Sequence, residues 1–327
     1  MALTTQAAEP VGGAGGFLAG SAPQRARRRR LGLPPMTAKL AAGLIISGAI
    51  LLFGLLGPFV VQDPTRVDDI GLTGPSSAHL MGTTQTGQDV LAQLAYATRG
   101  SLTIGAIVGV LTLLLSGFFG VVGAYAGGWV DEFFSLFTNI MLVIPGLPLV
   151  IVISSYVPDK SLLLVALVLS LTGWAGSARV LRGYTLSLRN RDYVLASRVA
   201  GEKRWRILAV EILPNLIPLL ASQMVFAVIF AILGEAGLSY LGLGASGSIS
   251  WGTMLYYAQN GLALRLGAWW WFVPPGLLLA LFGAALSLIN FSIDEIINPK
   301  LRNQTRAARR GWLMSRKQLE TAKEATL

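Results

Sequence analysis

The sequence predicts an all-α integral membrane protein with six transmembrane helices and both termini in the cytoplasm. Of its 327 residues, 53% are hydrophobic and only 13% are charged. With a mean hydropathy of +0.61, this composition is hard to reconcile with a surface that faces water. Long apolar stretches recur along the chain, and basic residues concentrate in alternate segments between them. Together these observations place the chain in a bilayer.

Six apolar stretches are long enough to cross the hydrocarbon core as helices. They cover residues 39–61, 101–126, 133–157, 161–180, 215–234 and 270–291. The second stretch is rich in glycine, which predicts close packing between helix backbones. Those glycines are Gly105, Gly109, Gly117, Gly120, Gly123 and Gly127. The third contains Pro145-Gly146-Leu147-Pro148, which predicts a kink that either lines a pathway or only serves packing.

The distribution of Lys and Arg predicts the orientation of these spans. The N-terminal segment holds six of the 26 basic residues, the region 179–206 holds eight, and the tail holds eight. Only Arg66, Arg99, Lys160 and Arg265 fall in segments predicted to lie outside. Because basic residues resist translocation, both termini are expected in the cytoplasm. The run Arg27–Arg30 is interpreted as a topology signal, so no nucleic-acid partner is predicted.

These spans and charges divide the chain into successive segments. Residues 1–38 form a basic N-terminal segment, expected to lack regular structure over 1–35, and 39–96 hold the first helix and an external segment. Residues 97–291 form the membrane core, and 292–327 form a basic cytoplasmic tail. Within the core, residues 190–210 favour two short helices broken at Gly201, and Pro214 and Pro218 mark the start of the fifth span. That cytoplasmic segment is either a structural elbow or a handle for a partner.

The inventory of reactive side chains argues against catalysis and metal binding by this chain. There is no cysteine, and the one histidine, His79, is expected to be an ordinary loop residue. Glu235, at the predicted outer end of the fifth helix, is expected to have an end-capping or structural role. Spans nearly free of ionisable groups make a secondary transporter the less favoured alternative. No Gly-x-x-x-x-Gly-Lys-[Ser/Thr] motif is present, so no ATP site is predicted on this chain.

The segment Leu195–Pro214 resembles the signature of bacterial ABC-importer permeases. That signature is Glu-Ala-Ala, three residues, Gly, nine residues, an apolar residue, any residue and Leu-Pro. The spacing is kept, and the matching residues are Ala196, Gly201, Leu213 and Pro214. Leu195 replaces the glutamate, Ser197 the second alanine and Glu211 the usual apolar or histidine residue.

Other fragments between about residues 79 and 302 are similar to the C-type subunit of the dipeptide/oligopeptide permease family. They are His79–Thr83, Gly87–Val90, Ala126–Glu132, Ile144–Gly146, Leu238–Gly244 and Ser250–Leu255. Their order and spacing agree with the six spans derived above. The resemblance implies a type I ABC-importer permease fold in the bacterial plasma (inner) membrane.

The same resemblance implies a set of partners and a contact region. The partners are a B-type permease in a heterodimer, two ATPase subunits that bind ATP and Mg, and an external solute-binding protein. Residues 190–211 would form the cytoplasmic coupling region, a rigid rod that passes ATPase movement to the membrane helices. The implied coupling residues are Leu195, Ala196, Ser197, Gly201, Glu202, Trp205, Arg206, Leu213 and Pro214. At Leu195, packing is expected to replace the polar contact of the family's glutamate.

The resemblance favours a peptide as the transported solute without identifying the residues that contact it. The chain itself is expected to be a non-catalytic permease subunit that binds no cofactor. Peptides are the first choice because they are the family's commonest solutes. An oligosaccharide or a nickel complex carried by the same machinery stays the alternative.

Overall fold

A computed structural model describes residues 37–68, 70–157, 161–245 and 247–297, which form nine helices and no named β-strand. The helices are α1 (Ala38–Val60), α2 (Val90–Ala126), α3 (Gly128–Val143), α4 (Gly146–Tyr156), α5 (Leu162–Arg189), α6 (Asp192–Val199), α7 (Arg204–Tyr240), α8 (Trp251–Asn260) and α9 (Trp269–Ile297). The predicted all-α class is confirmed for these residues. Nearly all of the predicted segment 1–38, and the tail after residue 297, lie outside the described residues.

Five helices of the described chain are long and apolar enough to cross a membrane, namely α1, α2, α5, α7 and α9. They correspond to five of the six predicted spans, and several extend beyond the apolar stretch itself. The N-terminus of α2 shows why. Asp89 caps the helix by accepting a hydrogen bond from the backbone N–H of Ala92 at 2.8 Å, so the helix begins well before its apolar part.

The prediction of one continuous helix over 133–157 is wrong, because the chain forms α3 and α4 separated by an extended pair of residues. Ile144 and Pro145 both have extended backbone angles. Proline disfavours the helical conformation of the residue before it and has no N–H for the helix ladder. The predicted kink at Pro145 is therefore a complete break, and neither α3 nor α4 is long enough to span a bilayer alone.

The prediction of a separate short helix after Gly201 is also wrong. The chain turns at Gly201, but the helix that follows is the first part of α7, which continues without a break into the fifth span. A π-helical turn at Leu208–Ile212 precedes Pro214. Local widening of this kind lets a membrane helix accommodate a proline ring and its missing donor.

Glycines of α2 bring it close to α7, as the sequence predicts. A Cβ placed on Gly105 would lie 2.8 Å from the side chain of Ile232, and one on Gly109 would lie 2.7 Å from Val228. Gly117 has open space around it and does not serve this contact. Since lipid provides no hydrophobic force between helices, such close backbone approach is what holds α2 and α7 together.

The helices run between two ends of the molecule, which we call the Gly201 end and the Trp270 end. At the Gly201 end lie the turn between α2 and α3, the segment 189–204, the start of α1 and the end of α9. Lys39 at the start of α1 pairs with Glu295 near the end of α9 at 3.1 Å. The Trp270 end consists of residues 61–68, 70–89, 241–245 and 247–268, and the indole N–H of Trp270 donates to the carbonyl of Thr83 at 3.2 Å.

Helix α8 was not among the predicted spans, because ten residues are too few to cross a membrane. Its start is fixed by a capping box in which Ser250 and Thr253 exchange side-chain and backbone hydrogen bonds. The Ser-x-x-Thr spacing was visible in the sequence. It marks a helix start only where an apolar surface is available for the helix to pack on.

Candidate functional site

The turn at Gly201 has the geometry of a Schellman motif that closes α6. The backbone N–H of Gly201 donates to the carbonyl of Arg198 at 3.1 Å, and that of Glu202 donates to Ser197 at 3.1 Å. Gly201 has a φ of +80°, in the left-handed region that favours glycine. The helix end predicted at Gly201 is therefore confirmed. The turn fixes α6 relative to the first residues of α7.

An apolar cluster anchors this helix–turn–helix to the ends of the membrane helices. Val194 of α6 is fully buried beside Leu181 of α5, and Ile207 of α7 joins the same cluster. Further members are Val121, Ile212, Leu216 and Leu219. Close packing of these side chains fixes the base of the helix–turn–helix rigidly to α5 and α7.

The opposite face of the helix–turn–helix presents large apolar side chains to the surroundings. Trp205 is 66% exposed, and Leu195 and Val199 are exposed as well. Exposed apolar side chains grouped on one face are typical of a surface that a partner covers. Leu195 is 44% exposed in the part of the chain that the structure describes, so the packing expected at this position in place of the family's glutamate is at most partial there.

Most of the predicted coupling residues lie together in this unit. Leu195, Ala196 and Ser197 are on α6, Gly201 and Glu202 form the turn, and Trp205 and Arg206 begin α7. Glu202 and Arg206 form an ion pair one helical turn apart. Leu213 and Pro214 are not part of this helix–turn–helix, because at the usual helical rise they lie about 12 Å further along α7 than Trp205.

Three arginine contacts of this region were not predicted from the sequence. Arg182 of α5 forms a two-pronged ion pair with Asp131 of α3, at 2.7 and 2.9 Å. Arg189 donates to the carbonyl of Ala124 at 2.9 Å and so satisfies the end of α2. The sequence did contain a signal for the first contact, namely the fragment Gly127-Gly128-Trp129-Val130-Asp131. No local sequence pattern, however, identified Arg182 as the partner of Asp131.

The third contact lies at the turn between α2 and α3. The guanidinium of Arg198 is 5.8 Å from the centre of the Tyr125 ring, within the range of a cation–π interaction. Together the three contacts hold α2, α3 and α5 against the base of α6. They involve residues far apart in sequence, which is why no local pattern indicated them.

A second polar cluster lies towards the Trp270 end, around Glu235. This residue is 1% exposed, and one carboxylate oxygen accepts hydrogen bonds from Ser239 at 2.6 Å and Ser250 at 2.7 Å. Ser250 is the N-cap of α8, so the carboxylate joins α7 to the start of α8. The structural role predicted for Glu235 is consistent with these contacts, although α7 continues five residues beyond it.

His79 is not the ordinary loop residue that was predicted. It is 8% exposed, and its Nδ1 lies 2.8 Å from a carboxylate oxygen of Asp89, the residue that caps α2. Its Nε2 lies 3.8 Å from Asp68. The segment 68–89 folds back on itself, and this brings the three side chains together. A ten-residue separation between His79 and Asp89 gave no sequence signal of the contact.

Comparison with protein families places residues 116–303 within the model of the "binding-protein-dependent transport system inner membrane component". The chain is 35% identical over 273 residues to the dipeptide transport system permease protein DppC of Bacillus subtilis (strain 168), covering 81% of this chain and 83% of that protein. It is also 35% identical over 270 residues to the oligopeptide transport system permease protein OppC of the same organism, covering 81% and 87%.

A DppC protein of Haemophilus influenzae is 32% identical over 269 residues, covering 80% of this chain and 90% of that protein. Among solved structures, one describing inward facing conformations of the MetNI methionine ABC transporter matches with a TM-score of 0.50 and 18% identity. It covers 63% of this chain and 95% of that chain. At this identity the likeness concerns the fold alone.

Proposed function

This chain belongs to the family of binding-protein-dependent transport system inner membrane components, and we propose from this premise that it is the C-type permease subunit of an ATP-driven peptide importer. The observation that supports this most directly is the helix–turn–helix at Gly201. It is anchored in the ends of α5 and α7, and it presents Leu195, Val199 and Trp205 outward. The named dipeptide and oligopeptide permeases among its relatives favour peptides as the solute.

In this proposal the chain contributes the pathway and no catalysis. ATP and Mg are bound by two partner ATPase subunits, a B-type permease completes the pathway, and an external binding protein delivers the solute. The coupling region, residues 190–211, transmits ATPase closure into movement of α5 and α7, with Leu213 and Pro214 at its membrane side. The core 97–291 lies in the bacterial plasma (inner) membrane, preceded by residues 39–96, which hold the first transmembrane helix and an external segment.

The coupling role predicts a loss of transport when the exposed apolar face is removed. Trp205→Ala and Leu195→Asp are expected to reduce solute uptake per ATP hydrolysed at least about tenfold, because buried aromatic anchors dominate the energy of such contacts. The measurement is uptake and ATPase activity in proteoliposomes that contain the complete complex. A matched control is Trp269→Ala at the Trp270 end, where the tryptophan is 56% exposed and lies away from the turn at Gly201.

Unchanged uptake and subunit assembly in both coupling variants would contradict the coupling role. An equal loss in Trp269→Ala would contradict it as well. The solute is tested separately by loading candidate solutes on the binding protein and measuring stimulation of the ATPase. Stimulation by peptides is expected. A response to an oligosaccharide or a nickel complex, with none to any peptide, would replace the peptide assignment and leave the importer assignment intact.

A further inference from the structure

A cleft at the Gly201 end separates the turn between α2 and α3 from the start of α7. Its volume is about 450 Å³, and its walls include Tyr125, Arg189, Arg198, Glu202 and Arg204. These residues come from the end of α2, the end of α5, α6 and the first turn of α7. The cleft therefore lies where three membrane-crossing helices begin or end. Its walls at Tyr125 and Gly128 lie next to the apolar parts of α2 and α3, so this side of the cleft is near the headgroups of a surrounding bilayer.

The cleft has an excess of positive charge. In the part of the chain that the structure describes, neither Arg198 nor Arg204 has a carboxylate within 4.0 Å. The one acidic residue of the walls, Glu202, is engaged by Arg206 on the outer side of the turn. Three guanidinium groups thus face a cavity with one already paired carboxylate. Such a site attracts an anion.

Two of the three arginines, Arg189 and Arg198, are held in place before any ligand binds. Arg189 is fixed by its hydrogen bond to the carbonyl of Ala124, and a Cβ on Gly127 would lie 2.5 Å from its guanidinium. Arg198 is held over the ring of Tyr125. Because these guanidinium donors are already in position, less conformational entropy is lost when an anion binds. Guanidinium groups also match the oxygen geometry of phosphate better than the ammonium group of lysine does.

The surroundings of the cleft indicate a lipid as the source of the phosphate. Helix α3 starts at the rim of the cleft and exposes Trp129, which is 75% exposed, followed by Phe133. Tryptophan is enriched at the depth of the headgroups, and an apolar helix face below it suits acyl chains. Basic pockets between the ends of membrane helices are typical sites for anionic headgroups.

We propose that this cleft binds the phosphate of an anionic phospholipid, whose acyl chains lie along the exposed face of α3. Arg198 and Arg204 contact the phosphate, and Arg189 forms the rear of the site. This inference goes beyond transport and does not depend on which solute the importer carries. The bound lipid joins the α2–α3 turn to the helix–turn–helix at Gly201.

The test uses the full-length chain in nanodiscs of phosphatidylcholine that contain phosphatidylglycerol. Phosphatidylglycerol retained after release into detergent is measured by native mass spectrometry. The double substitution Arg198→Gln with Arg204→Gln is expected to weaken retention at least about tenfold, because it removes both guanidinium groups that contact the phosphate. Arg204→Gln alone, whose side chain is exposed, is expected to weaken retention about threefold and serves if the double variant fails to fold.

The matched control removes the same charge from the same loop outside the cleft, by Arg191→Gln with Lys203→Gln. It is expected to change retention by no more than about twofold, because neither side chain lines the cleft and exposed charges outside it are screened by salt. An equal loss of retention in this control would mean that the overall positive charge of the surface attracts the lipid, and it would overturn the proposal. Undiminished retention in both cleft variants would overturn it as well.

Two further arms identify other sources of the anion. Inorganic phosphate at millimolar concentration is expected not to displace the retained lipid. Binding of inorganic phosphate that depends on Arg198 and Arg204, without retention of phosphatidylglycerol, would make the cleft a site for a soluble phosphate and overturn the lipid assignment. Loss of ATPase subunits from the purified complex of the double variant, with lipid retention unchanged, would instead make the cleft a protein contact.

Discussion

At the scale of single residues, Gly201 determines the shape of the candidate coupling region. Its φ of +80° reverses the chain within one residue, and the two backbone hydrogen bonds around it satisfy carbonyls at the end of α6. A residue with a Cβ incurs a penalty in this conformation even where space is available. This position was predicted correctly because a helix end depends on local backbone geometry.

Gly201→Ala is expected to destabilise the turn by about 1 kcal/mol, because alanine disfavours the left-handed conformation. No atom lies within 4 Å of a Cβ at this position, so the effect comes from backbone strain and not from a clash. The measurement is hydrogen exchange of the backbone amides of residues 192–206, which should become less protected.

Gly183→Ala is the matched control, since Gly183 lies inside α5 and also has open space around it. Alanine there is expected to leave the turn unchanged and to stabilise α5 slightly. Equal protection of the turn in Gly201→Ala and the parent chain would mean that the left-handed conformation is not required.

At the scale of helices, the packing of α2 on α7 depends on small residues and not on an apolar stripe. Both helices are apolar almost all round, so hydrophobicity does not distinguish the face that is buried in protein from the face that meets lipid. Gly105 and Gly109 mark the contact face, with Ile232 and Val228 of α7 above them.

Gly105→Ala is expected to destabilise the folded chain by roughly 1 to 3 kcal/mol, because the added methyl group would overlap Ile232. Thermal unfolding in detergent, followed by near-ultraviolet circular dichroism, measures the effect. Gly117→Ala is the control on the same helix, because nothing lies within 4 Å of a Cβ there. A loss of stability in Gly117→Ala as large as in Gly105→Ala would argue against close packing as the cause.

At the scale of the whole molecule, the number of crossings depends on the broken pair α3 and α4. Helix α3 starts at the Gly201 end, and residues of α4 pack with the start of α5 and with Ala245 towards the Trp270 end. The pair therefore runs between the two ends in two pieces. We propose that it completes the sixth crossing and leaves both termini in the cytoplasm.

Single cysteines test this topology without interference, because the sequence contains no cysteine. Ser77→Cys at the Trp270 end and Ala200→Cys at the Gly201 end are both at exposed positions. A membrane-impermeant maleimide added to intact cells is expected to label Ser77→Cys, while Ala200→Cys is labelled only after permeabilisation. Labelling of both from the same side would mean that α3 and α4 do not cross, and labelling with the sides exchanged would reverse the orientation.

The location of the chain in a bilayer, five of its membrane helices and the turn at Gly201 could all be predicted from the sequence alone. These features depend on local properties, namely the length of an apolar stretch and the backbone preference of glycine. Which side chains meet depends on how the helices pack, and the sequence did not predict it. The pairing of Asp131 with Arg182, of Glu235 with Ser250 and of Trp251 with Thr98 joins residues that are 15 to 153 positions apart. In a bilayer such contacts are stabilised by close packing and hydrogen bonding between helices. The pattern of apolar residues along the sequence does not indicate which side chains make them, because the helix faces that meet protein and lipid are both apolar.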